Sequence, residues 1–504
     1  MKTYKITVKA ACLFFVISFA SVFVTNAQYH DFKLTDYKNP DYQWRKLNVS
    51  FGLSGSNTNN KMDGDSFEYV SKNDQSNYGG SLNLDYYSVT NLRKYQGEQF
   101  GNLKTNAQWY KNMDKDFNKR TSKNNNQHLD FNYRINNRFY FNKLWFVEAD
   151  LTAGYSKDNG YYKNTGNENY PVHDKTITNN INVSVGVPLM IGYGRIEDVQ
   201  DARLAVYILE DLEKAGRLSH SPTHEEILSF ASFITQTKNK RYFDIRLKKI
   251  EELTVVDSFL VEKRLIKKQD IQYFTLLNDN WDYAMSQERS SGYRVSVGFQ
   301  PYYSYIFNDE KRYYTDVISS YPPSFLKWTE GAKIKTNDYN YNIVAQFIHE
   351  KPINLYWQSS AEASLTYLIG NSNTRFDIHS PDYILKRDTV SPGIEAGLAY
   401  AIHYYPNTRT SLRMGVNASY LKAWGHHNFN DYRADIDNQR LNAGLSFSCN
   451  YYFSPRLRLN AGLNGNYVYD LVYNDSDLTT SAKEKQTTNN FHTSFFAGLV
   501  YMIF

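Results

Sequence analysis

The sequence holds 504 residues, 41% hydrophobic and 16% aromatic, with 44 Tyr, 30 Phe and a formal net charge of +5. The mean hydropathy is −0.61, and beyond the N-terminus no apolar run approaches the roughly 18 residues that a spanning helix needs, which excludes helical channels and transporters. Two Cys exclude a disulfide scaffold and every multi-cysteine metal site, so the choice narrows to a soluble β protein or a membrane barrel.

The chain opens as a secretory signal peptide over residues 1–27. Lys2, Lys5 and Lys9 form a basic region, Ala10 to Val24 an apolar one, and Thr25-Asn26-Ala27 a small-x-Ala cleavage site. Export is the expectation, and the mature balance falls to +2, which gives nucleic acid no purchase. Cys12 lies in the segment to be removed. Cys449, in a strand pattern, reads as a small packing residue.

From about Leu47 to Gly194, and again from Gly292 to Phe504, apolar residues recur at every second position, the period of a strand. Trp357, Ser359, Ala361, Ala363, Leu365 and Tyr367 alternate with Gln358, Ser360, Glu362, Ser364 and Thr366. Leu457, Leu459, Ala461, Leu463 and Tyr467 alternate with Arg458, Asn460, Asn464 and Asn466 in the same way. Aromatic residues gather at the strand ends, as at a membrane interface: Trp145 with Tyr155, and Trp357 with Tyr367. Short turns are expected at Asn136-Asn137, Glu350-Lys351-Pro352, Pro406-Asn407 and Ser454-Pro455. Long polar loops are expected over 57–76, 114–126, 157–174, 308–335, 425–435 and 472–488.

Between Glu197 and Arg289 the period changes to 3.6. Val199, Ala202, Val206, Leu209 and Leu212 form one helical stripe; Thr223 to Glu226 is a capping box opening a second, Ile227, Phe230, Ala231 and Ile234. Phe243, Leu247, Ile250 and Leu253 mark a third, and Ile271, Phe274, Leu277, Trp281 and Met285 a fourth. One-sided stripes imply a small bundle.

The final strand, Phe495 to Phe504, ends in an aromatic residue with Met502, Val500 and Phe496 at alternate positions before it, a series that Gly498 interrupts. With these features the chain resembles the Gram-negative outer-membrane β-barrel proteins. That resemblance implies the cell outer membrane, contact with its lipid, and recognition of the strand ending in Phe504 by the barrel-assembly machinery. The fold expected is an all-β transmembrane barrel of about 14 antiparallel strands, six before and eight after an α-helical insertion of about four helices. The corresponding division is an N-terminal periplasmic segment at 28–46, barrel strands at 47–194, a helical periplasmic domain at 195–290 and barrel strands at 291–504.

A barrel of this size has a lumen wider than side chains alone fill. Charged residues expected to point into it are Asp85, Lys104, Asp130, Arg134, Glu148 and Asp150 on early strands, and Arg294, Glu362, Glu395, Arg413, Arg456 and Arg458 on later ones. Facing charges of both signs order water and select polar solutes in a pore, or else form a network tying opposite walls together. No catalytic residues, cofactor or metal site are expected: His426-His427 with Asp431 lacks a nucleophile and an orienting partner, and Gly192-Tyr193-Gly194 lacks the residues of a phosphate loop. The reading is a porin-like channel or transporter for small polar solutes and not an enzyme. The alternative is a non-transporting envelope anchor whose helical domain binds a periplasmic or surface partner.

Overall fold

The computed structural model describes residues 31–64, 69–114, 120–166, 173–240, 245–283, 289–320, 323–379, 383–429, 432–454, 457–476 and 484–501. The signal segment, Asp431, Arg456, Met502 and Phe504 lie outside them. Before the helices come β1 (Tyr42–Gly64), β2 (Tyr69–Leu92), β3 (Tyr95–Asp114), β4 (Thr121–Tyr140), β5 (Trp145–Ala149), β6 (Leu151–Thr165), β7 (His173–Gly186) and β8 (Leu189–Asp198). After them come β9 (Ser290–Ser320), β10 (Pro323–Pro352), β11 (Trp357–His379), β12 (Tyr383–Asn407), β13 (Thr410–Phe429), β14 (Tyr432–Ser454), β15 (Leu457–Ser476) and β16 (Glu484–Tyr501).

These sixteen segments form one antiparallel sheet. Two breaks, at Asp150 and at Val187-Pro188, split single crossings: β4 pairs with β6 along one stretch and β5 along the next, and β9 pairs likewise with β7 and β8. Counted as crossings, the wall has fourteen among the described residues, the number expected for an all-β barrel, with the helices inserted after the sixth. Pro188 has no N–H for the ladder, which is why a break falls there.

The register sorts side chains by polarity. One hydrogen-bonded row runs Val295, Phe347, Ala363, Leu398, Ala418, Ala443, Tyr467, Phe491 across eight strands. The adjacent row is Ser296, Gln346, Ser364, Gly397, Ser419, Asn442, Val468, Asn490. In the first half Val49, Leu84, Leu103, Phe131, Tyr155, Val183 and Tyr305 share a row, beside Asn48, Asp85, Asn102, Asn132, Gly154, Ser184 and Ser304. A slip of one residue anywhere would exchange the two faces. The apolar face is open: Leu398 is 65% and Phe495 85% exposed.

Several local expectations change. Asn136-Asn137 is not a turn but lies inside β4, where the Asn137 N–H donates to Asp150 at 3.0 Å opposite the break; the chain reverses at 141–144. Glu350-Lys351-Pro352 ends β10, and the turn follows at 353–356. Most of the polar segments read as loops are strand: β9 and β10 alone run 31 and 30 residues, roughly 100 Å each at about 3.3 Å per residue. Asn, Asp and Lys mark water there rather than irregular backbone, because beyond an apolar band of about 25 Å both faces of a hairpin can be polar. His426 and His427 likewise belong to β13, and the His427 Nδ1 sits 2.6 Å from the Thr389 hydroxyl.

Four helices stand between β8 and β9: α1 (Gln200–Lys214), α2 (His224–Lys238), α3 (Ile245–Glu262) and α4 (Ile271–Asp282). Val199, Ala202, Val206, Leu209 and Leu212 are all fully buried, the larger of them contributing about 1.5–3 kcal/mol apiece. Thr223 and Glu226 complete the capping box on α2. The later stripes hold in part: Leu277 and Trp281 of the fourth are buried and Leu253 of the third packs against the core, whereas Ile250 is 63% and Ile271 87% exposed, and Val256, Leu260 and Tyr273 complete the core; Phe243 and Met285 lie outside the described residues. Each of those helices has apolar residues on two sides, and neighbour packing buries part of each. Tyr37, ahead of β1, joins this core and sits 2.7 Å from the Thr235 hydroxyl.

The helices sit at the end of the wall that has the short turns. Tyr207 on α1 donates to the Tyr405 carbonyl at 3.2 Å, and Arg409 reaches both Asp279 oxygens on α4 at 2.6 and 2.7 Å. Where β8 and β9 leave the wall, Gly194 and Gly292 have φ of +106° and +131°. A Cβ at either would lie 2.1 Å from a carbonyl oxygen across the ladder, so no other residue fits there.

Candidate functional site

The polar rows of the sheet carry the charged residues, and they divide into a braced wall and an open hollow. On the braced side, Arg138 on β4 donates to Glu148 on β5 at 2.6 Å, both side chains being nearly buried. Glu197 binds Arg195 at 3.0 Å, Arg93 at 3.3 Å and the Asn39 N–H at 2.9 Å, tying the N-terminal segment to the wall. Glu148 and Asp150 therefore serve as braces, and Arg294, in register with Gly194 and Ile348, stands beside them on β9.

Further from the helices, Asp85 accepts amides from Asn83 at 2.8 Å and Asn102 at 2.6 Å, and Asp130 accepts Asn132 at 2.6 Å. Lys104 lies opposite Asp130 in the ladder, and Arg134 between Phe100 and Thr152. Glu395 stands between Thr366 and Leu421 on β12. Arg458 on β15 gives one nitrogen to the Tyr452 hydroxyl at 3.5 Å. Arg456 falls outside the described residues.

The hollow has a volume of about 570 Å³ on the polar face of β10 to β14. Its floor is small because one hydrogen-bonded row reads Ser360, Ala401, Gly415, Ser446, and its rim carries Glu350, Glu362, His403 and Arg413. Of the residues singled out from the sequence, Glu362 and Arg413 meet here. Glu350 and His403 were missed, the first because it was assigned to a turn, the second because a lone His carries no signal. Glu350 Oε2 accepts the Gln358 amide at 2.8 Å and the Ser360 hydroxyl at 2.7 Å, and Glu362 Oε1 accepts the Gln346 amide at 2.9 Å.

Behind the rim, Arg289 is 1% exposed. It donates to Gln358 Oε1 at 3.1 Å and to the carbonyls of Leu355, Asn354 and Trp357 at 2.9, 2.8 and 3.2 Å. Gln358, held at its oxygen by Arg289, turns its amide to Glu350. Burial, with Arg203 nearby, pulls the Arg289 guanidinium down to about 10. A charged residue at a helix-to-strand junction gave no pattern by which the sequence reveals this link.

No family model and no curated protein matches the chain. Among solved structures, it is similar to the deltaS2S3 mutant of the TodX monoaromatic hydrocarbon channel at 9% identity and TM-score 0.29, covering 87% of this chain and 90% of that one. The CymD monoaromatic hydrocarbon channel gives 10% and 0.23, with 95% and 94% covered. The alcaligin outer membrane receptor FauA from Bordetella pertussis gives 8% and 0.20, with 90% and 75% covered. Likenesses of this order identify no substrate.

Proposed function

We propose that this chain is an outer-membrane β-barrel that passes small polar solutes, with its helices on the periplasmic side. The observation that carries the reading is the pairing of rows: a continuous apolar row from Val295 to Phe491 faces out, and a polar row from Ser296 to Asn490 faces in. An apolar outer face suits lipid, and a polar inner face suits water. The even number of crossings before α1 returns the chain to the side where it started, and short turns gather at that end, as on the periplasmic face of such barrels.

Conductance of the refolded protein in a planar bilayer tests the reading, and a folded protein without conductance overturns it. A membrane-impermeant maleimide applied to Ile250→Cys tests the placement: the cysteine is protected on intact cells and reacts once the outer membrane is permeabilised. Labelling on intact cells puts the helices outside.

One observation favours the second reading, an anchor whose helices bind a partner. The helices have their own core, yet leave Ile250, Val261, Ile271 and Phe274 at least 47% exposed. Deleting 197–289 under that reading leaves any conductance unchanged and abolishes co-purification of a periplasmic partner.

A further inference from the structure

The hollow on β10 to β14 has separated charges and spare bonding capacity. Arg413 stands level with His403, Gln358 and Pro352, three strands and two residues from Glu350, so their backbones are about 16 Å apart at about 4.8 Å per strand and about 3.3 Å per residue. Between them, beside Gln358 and His403, lies the floor of Ser360, Ala401 and Gly415, too small to fill the gap. The bonds described for the two glutamates go to amides and a hydroxyl: Glu350 keeps Oε1 uncommitted and Glu362 keeps Oε2. Arg413 is exposed into the hollow. Positive charge on one side and negative on the other, held apart by small residues, disfavours a lone anion at the glutamates and a lone cation at the arginine.

We infer that this hollow binds a small zwitterion, its carboxylate at Arg413 and its ammonium at Glu350 and Glu362. The guanidinium fork matches a carboxylate bidentately, and two carboxylate oxygens with no hydrogen bond among the described residues suit the three donors of an ammonium. Gln358, held at its oxygen by Arg289, and the Ser360 hydroxyl together occupy one oxygen of Glu350 and leave the other to face the hollow. The inference names the solute class of the channel reading and rests on it.

Three probes of equal chain length separate the contributions: 5-aminopentanoate, pentanoate and pentylamine. Titration calorimetry of the detergent-solubilised full chain reads the hollow, and single-channel current block reads transport. The expected result is that 5-aminopentanoate binds and blocks about tenfold more tightly than either singly charged analogue. Arg413→Gln lowers that affinity to the level of pentylamine on wild type, and Glu350→Gln with Glu362→Gln to that of pentanoate. Equal affinity for all three probes, or an Arg413→Gln protein that binds as wild type does, overturns the inference and leaves the channel reading standing. Calorimetric selectivity in a protein that never conducts upholds the hollow and overturns the channel.

Discussion

Arg203 and Arg289 are each 1% exposed, yet Arg289 donates to four acceptors while no nitrogen of Arg203 has a hydrogen-bond partner among the described residues. Arg203 instead lies with its guanidinium carbon 3.5 Å from the Tyr207 ring centroid and 4.9 Å from that of Tyr356. Both sit where the helices meet the wall, so two buried guanidiniums hold one interface by different physics.

Their replacements by methionine are expected to differ in outcome. Arg289→Met strips a charged donor from three carbonyls and Gln358, and costs on the order of 3 kcal/mol. Arg203→Met removes a buried charge that makes no hydrogen bond among the described residues, at the cost of a cation–π contact of at most about 2 kcal/mol and of the positive charge that faces buried Glu210, so its loss is smaller than that of Arg289→Met, which strands four acceptors. Urea titration of the lipid-embedded protein, followed by its helix signal, measures both. Equal losses would mean that Arg203 has a bonding partner the geometry does not reveal.

The facing of the sheet sets a second expectation. Leu398 and Leu463 lie on the apolar face, 65% and 56% exposed, and Ser364 on the polar one. Arg at either leucine costs roughly 2–4 kcal/mol near mid-membrane, and Arg at Ser364 much less. Folding yields into vesicles of graded urea content rank the three, and indistinguishable values would refute the assigned register.

The fold class is legible in this sequence because a strand in lipid has only two environments, and period two records both. Ala363 and Leu398 face out and Ser364 faces in, as alternation alone implies. The same rule fails where both faces meet water, so 308–335 looks like a loop although most of it is strand. It also misdirects at the C-terminus. Phe496 and Val500, the described members of the series before Phe504, lie on the polar face opposite Gly462 and Arg458, while Phe495, Leu499 and Tyr501 face out. The hollow was half legible: Glu362 and Arg413 are visible as charges in strands, but their meeting with Glu350 depends on the successive pairings from β10 through β11 and β12 to β13, which no local pattern encodes.

Acid tests the start of α4. Asp270 caps it by accepting the Tyr273 N–H at 3.0 Å. That bond, opposed by burial and helped by Arg217, holds its carboxyl down at about 2. A carboxyl depressed from an unfolded value of about 4 stabilises the helix fully above that value, and the effect fades as pH falls through about 2. Asp270→Asn keeps a capping oxygen without the charge. The wild type's lead over this variant in urea midpoint should therefore be constant from pH 7 to 5 and shrink between 4 and 2. A lead that does not change with pH would show that the charge contributes nothing.

The two edges of the sheet carry the last expectation. Among the described residues no ladder joins β1 to β16, and these strands bear some of the most exposed apolar side chains: Phe51 at 70% and Leu53 at 76% on β1, Phe491 at 73% and Phe495 at 85% on β16. In hydrocarbon a row of unpaired N–H and C=O groups costs several kcal/mol per group, so neither edge can stay open in a bilayer. An even number of crossings leaves β1 and β16 antiparallel, ready to pair with one another. Ser50, beside outward-facing Val49 and Phe51, and Ser494, beside outward-facing Phe495, both lie on the polar face, so pairing brings like faces together. A Cys at Ser50 is expected to crosslink, on oxidation in the membrane, to a Cys at one of His492, Ser494 or Phe496, and to none at the outward Thr493 or Phe495. The product migrates as a monomer closed on itself, and its formation is independent of protein density in the vesicles. Crosslinks only between molecules, rising with density, would mean that β1 pairs with β16 of a second copy. No crosslink at any of the three lumenal positions would mean that something other than strand pairing covers both edges.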